Sequence, residues 1–93
     1  MSRIDQMKRL YDELFEVYCK KNADYGDSFG WSIRKYGLIA SIVRIGDKFS
    51  RFENIVLSKE QKVDDESLRD TLMDMANYLV MTVAEMEEED GLL

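Results

Sequence analysis

Residues 38–56, LIASIVRIGDKFSRFENIV, decide the fold because their apolar side chains recur at helical spacing. These side chains follow one another at alternating intervals of four and three residues: Leu38, Ile42, Ile45, Phe49, Phe52 and Val56. Such a rhythm places them on one stripe of a helix, which we expect to run from about residue 33 to residue 56. The stretch therefore predicts a long amphipathic helix with one apolar face.

The sequence on either side repeats the pattern. An earlier run predicts a helix over about residues 3–21, with Ile4, Met7 and Leu14 on its apolar stripe. A later run predicts a helix over about residues 65–88, whose stripe contains Leu68, Leu72, Met75, Leu79, Val83 and Met86. The chain has no proline and only five glycines, which agrees with long helices. We expect residues 1–93 to form one all-α domain, a three-helix antiparallel unit.

Ninety-three residues are close to the size at which a single core only just stabilises itself. Three long helices form an elongated stack with an open groove, and a second subunit would bury that groove. We therefore expect a homodimer or a homotetramer. Gly46 lowers the stability of its helix by up to about 1 kcal/mol relative to alanine, which a close helix approach or room beside Asp47 would explain. Cys19 lies near the first apolar stripe and is expected to be a buried packing residue.

The composition excludes several kinds of chemistry. The chain has no histidine and one cysteine, so it lacks Ser-His-Asp machinery, imidazole zinc sites and an intrachain disulfide. Much of the net charge of −6 lies in an acidic C-terminal end, residues 85–93, which disfavours nucleic acid and anionic membranes as partners. No apolar run approaches the roughly 20 residues of a membrane span. These features predict a cytoplasmic protein.

Two groups of charged side chains are candidates for a site. On the third predicted helix, Glu66, Asp70, Asp74 and Asn77 lie on one face, roughly opposite the apolar stripe. On the second predicted helix, Asp47 lies one turn from cations on either side: Arg44, Lys48 and Arg51. One helix thus presents mainly acids and the other mainly cations.

A functional interpretation assigns a metal and a phosphate to these groups. Asp47, Asp70 and Asp74 would be the catalytic carboxylates and, with Glu66, would bind Mg²⁺ or Mn²⁺, which need oxygen ligands and no histidine. The cations Arg44, Lys48 and Arg51 would contact the phosphates of a nucleotide. The alternative is that the acids are solvated and that the charges form surface ion pairs worth about 0.2–0.5 kcal/mol each. Like charges stacked without a cation between them favour the functional interpretation.

The segment from residue 21 to 31 contains aromatic residues among turn formers. Tyr25 could stack on a nucleotide base and Asn22 could hydrogen-bond the base or sugar, with Asn77 on the facing helix as a further substrate contact. The alternative is a helix end and turn whose aromatic side chains close one end of the helix bundle.

Three segments together resemble a known family. Residues 21–29 (KNADYGDSF), 44–51 (RIGDKFSR) and 65–78 (DESLRDTLMDMANY) are similar to the nucleotide modification associated domain 1 of phages and bacteria. The resemblance covers most of residues 20–80. If the gene is carried by a phage, the compartment is the host cytoplasm.

More distantly, the layout resembles the MazG group of all-α nucleoside triphosphate pyrophosphohydrolases, oligomers that hold Mg²⁺ between a Glu-Glu-x-x-Glu helix and a Glu-x-x-Asp helix. Asp47 stands at the last glutamate of the first motif and Asp70 at the aspartate of the second, while Arg44 and Ser67 replace acids. The resemblance implies a MazG-like helical bundle and Mg²⁺-dependent pyrophosphohydrolysis of nucleotides, including modified ones. The alternative is a non-enzymatic helical interaction or accessory protein in phage nucleotide metabolism.

Overall fold

The computed structural model describes residues 2–58, 65–88 and 91–92, with the side chains of Asp65 and Glu66 excluded. The described residues form four helices and no strand: α1 (Arg3–Tyr25), α2 (Ser28–Tyr36), α3 (Ile39–Leu57) and α4 (Asp65–Glu88). The predicted all-α class is therefore confirmed. None of these helices is long and apolar enough to cross a membrane.

The predicted number of three helices is wrong, because the second predicted helix is broken at Gly37. Gly37 has a φ of 82°, which glycine adopts without strain, and its N–H donates to the Ile33 carbonyl at 2.7 Å to close α2. Upstream, α1 continues to Tyr25 instead of ending at Lys21. Most of the segment expected to connect two helices is thus itself helical.

The helices α3 and α4 pack more extensively than any other pair, and they are antiparallel. Near the start of α3, the Ser41 hydroxyl lies 2.6 Å from the Thr82 hydroxyl, near the end of α4. Further along α3, the Arg51 Nε donates to Thr71 Oγ1 at 3.2 Å. On another side of α4, α1 is attached through Asn77, whose Nδ2 donates to the Leu14 carbonyl at 3.1 Å.

The buried core is small and lies where α2 meets α3 and α4. Phe29 and Ile33 of α2 are buried there, and Ile33 has no exposed surface, whereas the buried Ile55 lies near the other end of α3. The Phe29 ring packs at 4.7 Å, centroid to centroid, from the ring of Tyr78. The core therefore depends on α2, the helix that the sequence pattern did not separate from α3.

Part of the predicted apolar seam does not face this core. Ile42, Phe49 and Val56 on α3 have exposed fractions of 69%, 49% and 52%. The side of α3 that contacts α4 is instead polar at Ser41 and Lys48. The expectation that Cys19 is buried is also wrong, because its thiol is exposed.

Candidate functional site

A cavity of about 100 Å³ lies where the last turns of α1 and the first turn of α2 meet α3 and α4. Its walls combine aromatic rings, two cations, one carboxylate and two amides. The lining residues are Tyr18, Lys21, Asn22, Tyr25, Gly26, Ser28, Phe29, Arg44, Asp74, Asn77, Tyr78 and Met81. All four helices contribute to it, so the cavity depends on the complete fold of the chain.

Helical register explains why four residues of α1 line the same side of the cavity. Tyr18, Lys21, Asn22 and Tyr25 are three, four and seven residues apart, so they share one face as long as the helix continues to Tyr25. The helix then ends at Gly26, whose φ is 69° and whose N–H donates to the Asn22 carbonyl at 2.8 Å. This turn directs the chain into α2 and places the aromatic ring of Phe29 in the opposite wall.

The electrostatic centre of the cavity is Asp74 on α4. Its Oδ1 accepts from Lys21 Nζ at 2.6 Å, and its Oδ2 accepts from Lys48 Nζ at 3.2 Å. Only 18% of the Asp74 side chain is exposed. Burial by itself raises the pKa of Asp74, but the hydrogen bonds and charges of the two lysines outweigh burial and hold that pKa below its usual value. In turn, the hydrogen bond to Asp74 raises the pKa of Lys21.

Most of the predicted contact residues meet at this cavity. Asn22 and Tyr25 on α1, Arg44 on α3 and Asp74 and Asn77 on α4 all line it. Lys48 reaches it through Asp74. Asn77 is also a positioning residue, because its hydrogen bond to Leu14 fixes α1 against α4.

The remaining predicted residues lie elsewhere. Arg51 donates to Ser67 Oγ at 2.8 Å and to Thr71, so it ties α3 to α4. Asp70 is exposed and borders a second groove, shared with Lys21 and Asp74, on the α1 side of α4. Asp47 is exposed on α3. The Glu66 side chain, predicted to be a metal ligand, lies outside the described residues, as do Glu89 and Asp90 of the acidic end.

A bound metal ion would depend on Asp70 and Asp74. In the described part of the chain, no group of three or more acidic or cysteine side chains lies close enough to hold a metal ion. Mg²⁺ usually binds through one or two carboxylates together with phosphate and water. Asp70 and Asp74, one helical turn apart beside the same groove, suit an ion that arrives with a phosphate rather than one held by protein alone. The proposed set of Asp47, Glu66, Asp70 and Asp74 stays a prediction.

Sequence reasoning missed Tyr18, Lys21 and Tyr78 as site residues. Lys21 is 53 positions from Asp74, and no local pattern connects the two residues. The sequence did contain a signal for Lys21. If the first predicted helix is continued by one turn to Tyr25, Lys21 lies on the same helical face as Tyr18, Asn22 and Tyr25.

A larger apolar cavity of about 380 Å³ adjoins the first and shares Tyr18, Asn77 and Met81 with it. At its edge, the Arg34 guanidinium donates to Asp27 Oδ2 and to Glu85 Oε1, both at 2.8 Å. These carboxylates raise the pKa of Arg34, with Asp27 the larger influence. The two cavities together form a cleft with cations near one end and apolar walls at the other.

Comparison with known proteins gives one match. The family model described as nucleotide modification associated domain 1 matches residues 21–86, which include every lining residue of the first cavity except Tyr18. No curated protein and no solved structure matches the chain.

Proposed function

The chain belongs to the nucleotide modification associated domain 1 family, and on that premise we propose that it binds a nucleotide together with Mg²⁺ in the cavity around Asp74. We further propose that it is a MazG-like nucleoside triphosphate pyrophosphohydrolase, which acts on canonical or modified nucleotides. Mn²⁺ is the alternative ion.

The observation that carries the proposal is the contact of two lysines with one carboxylate. Lys21 from α1 and Lys48 from α3 meet at Asp74, and Arg44 lines the same cavity. Three cations from two helices therefore lie near one part of the cleft. Phosphate oxygens would accept hydrogen bonds from these cations, as charge-assisted hydrogen bonds are stronger than neutral ones.

Binding of the phosphates also provides a route to the metal. When Lys21 and Lys48 donate to phosphate instead of to Asp74, the Asp74 carboxylate becomes available as an Mg²⁺ ligand, with Asp70 one turn away. We therefore expect Mg²⁺ and nucleotide to bind better together than either does alone.

The non-phosphate part of the nucleotide would lie against the aromatic walls. Tyr18 and Tyr25 offer ring faces for a base, and Asn22 offers both a donor and an acceptor for its polar edge. The adjoining apolar cavity extends this surface beyond Tyr18 and provides room for a substituent on a modified base.

Hydrolysis would split the bond between the α- and β-phosphates. The water oxygen becomes bonded to the α-phosphorus, and pyrophosphate leaves with the bridging oxygen. Bound Mg²⁺ would offset the charge that develops on the phosphates and make the attacking water more acidic. The exposed carboxylate of Asp70 would accept the proton of that water.

Thermal unfolding tests binding directly. The purified chain is heated with Mg²⁺ alone, with each of a panel of canonical and modified deoxynucleoside triphosphates alone, and with both. A ligand present at ten times its Kd stabilises the folded state by about 1.4 kcal/mol, which raises Tm by roughly 6–11 °C for a chain of this size. We expect such a rise for one nucleotide class with Mg²⁺, and a smaller one without it.

Two lysine variants give a matched comparison. Lys21 and Lys8 both lie on α1, and both donate to an aspartate, at 2.6 Å and 2.8 Å. We expect Lys21→Met to abolish the nucleotide-dependent rise in Tm and Lys8→Met to leave it unchanged. If no nucleotide raises Tm with Mg²⁺ or Mn²⁺, or if both variants respond like the wild type, the proposed binding site is wrong.

Catalysis needs a separate measurement. Pyrophosphate release is followed with the nucleotide class that raises Tm, and Asp70→Asn is compared with the wild type. We expect turnover that Asp70→Asn removes, while the smaller rise in Tm that the nucleotide gives without Mg²⁺ persists. Binding without turnover in the wild type would reject the hydrolase and keep the nucleotide site.

A helical interaction protein is the second candidate, favoured by the exposed apolar side chains of α3 and α4. Such a protein would show no change in Tm with Mg²⁺ and nucleotide. The same thermal experiment therefore separates the two functions.

A further inference from the structure

Aromatic rings form the α1 side of the apolar cavity of about 380 Å³. Tyr11, Phe15 and Tyr18 line it from successive turns of α1, and the ring planes of Phe15 and Tyr18 differ by only 22°. The face of an aromatic ring attracts a cation as well as apolar groups. Among the described lining residues, the charged ones are Asp27 and Glu85, and both are acids. The walls therefore suit an apolar group that carries a positive charge.

In the described part of the chain, Asp27 and Glu85 share a single cation. The Arg34 guanidinium donates to Asp27 Oδ2 and to Glu85 Oε1, so one negative charge of this cluster is left uncompensated. Gly30 permits the arrangement, because a Cβ on that residue would lie 2.5 Å from both Asp27 Oδ1 and Glu85 Oε1. The glycine thus keeps two carboxylates close together at the edge of the cavity.

Glu85 also has an acceptor that is not used. Its side chain is only 11% exposed, and its Oε1 accepts from Arg34. Its Oε2 is buried, and no donor among the described residues lies within hydrogen-bonding distance of it. A buried carboxylate oxygen without a donor lowers the stability of the fold. A ligand in the cavity that carries an N–H group would supply the missing donor.

We propose that this cavity binds a primary ammonium group carried on a short apolar chain or ring. Glu85 Oε2 accepts a hydrogen bond from the ammonium group, and the aromatic rings of α1 contact the apolar part. An ammonium group provides both the positive charge and the N–H donors that the cluster lacks. The resulting hydrogen bond is charge-assisted, and such bonds are stronger than neutral ones.

The position of the cavity identifies a substrate class, and this step rests on the proposed function. The cavity adjoins the one around Asp74 and shares Tyr18 and Asn77 with it. Lys21 and Arg44 line that neighbouring cavity, so the cleft has cations at one end and acids at the other. A nucleotide whose phosphates lie at the cationic end would direct its base toward the acidic end. The substrate class is therefore a nucleotide whose base carries an amine-terminated substituent.

Free amines test the cavity without any nucleotide. Phenethylamine is protonated at neutral pH, and phenethyl alcohol has the same carbon skeleton with a neutral hydroxyl. Each is titrated into the ¹⁵N-labelled chain, and Kd is obtained from the amide signals of Gly30 and Ala84. We expect the amine to bind about ten times more tightly than the alcohol, since hydrogen bonds to charged groups are the stronger kind. Equal binding of the two compounds, or no binding of the amine, overturns the proposal.

Two variants show whether the preference for the amine comes from this site. Glu85→Gln removes the charge but keeps the size of the side chain and leaves Asp27 as a partner for Arg34, so amine and alcohol should bind equally. Glu87→Gln is the matched control, since it removes the same charge from an exposed side chain of α4, and it should keep the preference. Phe15→Leu, at an exposed position, should weaken amine binding roughly two- to fivefold. A preference that Glu85→Gln and Phe15→Leu both leave unchanged overturns the proposal.

Two triphosphates test the substrate class. Aminoallyl-dUTP and propynyl-dUTP carry short substituents at the same carbon of the base, with and without a primary amine. In the presence of Mg²⁺, calorimetry should show about tenfold tighter binding of aminoallyl-dUTP, and Glu85→Gln should remove the difference. Equal binding of both triphosphates overturns the amine-bearing substrate class. If neither triphosphate binds, the proposed function fails, whereas the free amine still decides the cavity.

Discussion

The two sides of α3 differ in polarity and in exposure: the side toward α4 combines polar side chains with the buried Ile55, whereas another side is apolar and exposed. The side that contacts α4 carries Ser41 and Lys48, which are hydrogen-bonded to Thr82 and Asp74. The side that carries Ile42 and Phe49 is exposed. An apolar stripe therefore predicts that a surface is to be covered, but it does not tell whether the cover comes from the same chain or from another. In this chain, the side of α3 that contacts α4 positions the candidate site, and the exposed apolar side lies away from that contact.

Substitutions at two neighbouring residues near the end of α3 should give the largest difference in the free energy of unfolding. Ile55 is buried and Val56 is half exposed. We expect Ile55→Ala to lower the free energy of unfolding by about 2–5 kcal/mol at every protein concentration, because it removes buried methyl groups from the core. Val56→Ala should lower it much less, because the Val56 side chain is half exposed and leaves little cavity. Urea titrations of both variants check this difference, and equal losses would contradict it.

The second comparison is between two acids one turn apart on α4. Asp74 accepts from two lysines and is mostly buried, whereas Asp70 is exposed. We expect Asp74→Asn to lower the free energy of unfolding by about 1–3 kcal/mol at pH 7, because Lys21 and Lys48 lose a charged hydrogen-bond partner. Asp70→Asn should change stability little. A similar loss for both variants, measured by urea unfolding, would contradict the central position of Asp74.

The pH dependence of the free energy of unfolding should also depend on Asp74. The pKa of Asp74 is lower in the folded chain than its ordinary value, so the folded state binds fewer protons there than the unfolded state. Its contribution is fully present above the unfolded pKa of about 3.9 and is lost as the pH falls through the folded pKa. Tm measured from pH 6 down to pH 2 should fall less steeply for Asp74→Asn than for the wild type. Parallel curves would show that Asp74 is not the group responsible.

The smallest effect is expected at the other end of the α3–α4 contact. Ser41→Ala removes the hydroxyl that lies 2.6 Å from Thr82 Oγ1, but Thr82 still donates to the Tyr78 carbonyl at 2.7 Å. We expect a loss of about 0.5–1.5 kcal/mol in the free energy of unfolding. Thr82→Ala serves as the comparison, and a loss well above that range for Ser41→Ala would show that the contact has a larger role.

The sequence predicted the helical class and some of the residues around Asp74, among them Arg44 and Asn77, because helical periodicity and charge spacing are local properties. It did not predict the break at Gly37, since a glycine in a helical pattern is tolerated or ends the helix depending on tertiary packing. It also could not predict that Lys21 meets Asp74, because that contact depends on how α1 packs across α4. For the same reason the sequence did not tell which side of α3 packs against α4, and Ile42 and Phe49 of its apolar stripe are exposed.

Nuclear magnetic resonance with the ¹⁵N-labelled chain tests the central claim most directly, that the polar side of the fold holds a nucleotide with Mg²⁺. A Mg²⁺–nucleotide titration should shift the amide signals of Tyr18, Asn22 and Asn77 first, while those of Phe49 and Leu79, which are half exposed and outside the cavity, stay unchanged. No shift with any nucleotide, or shifts centred on Phe49 and Leu79, would contradict this claim.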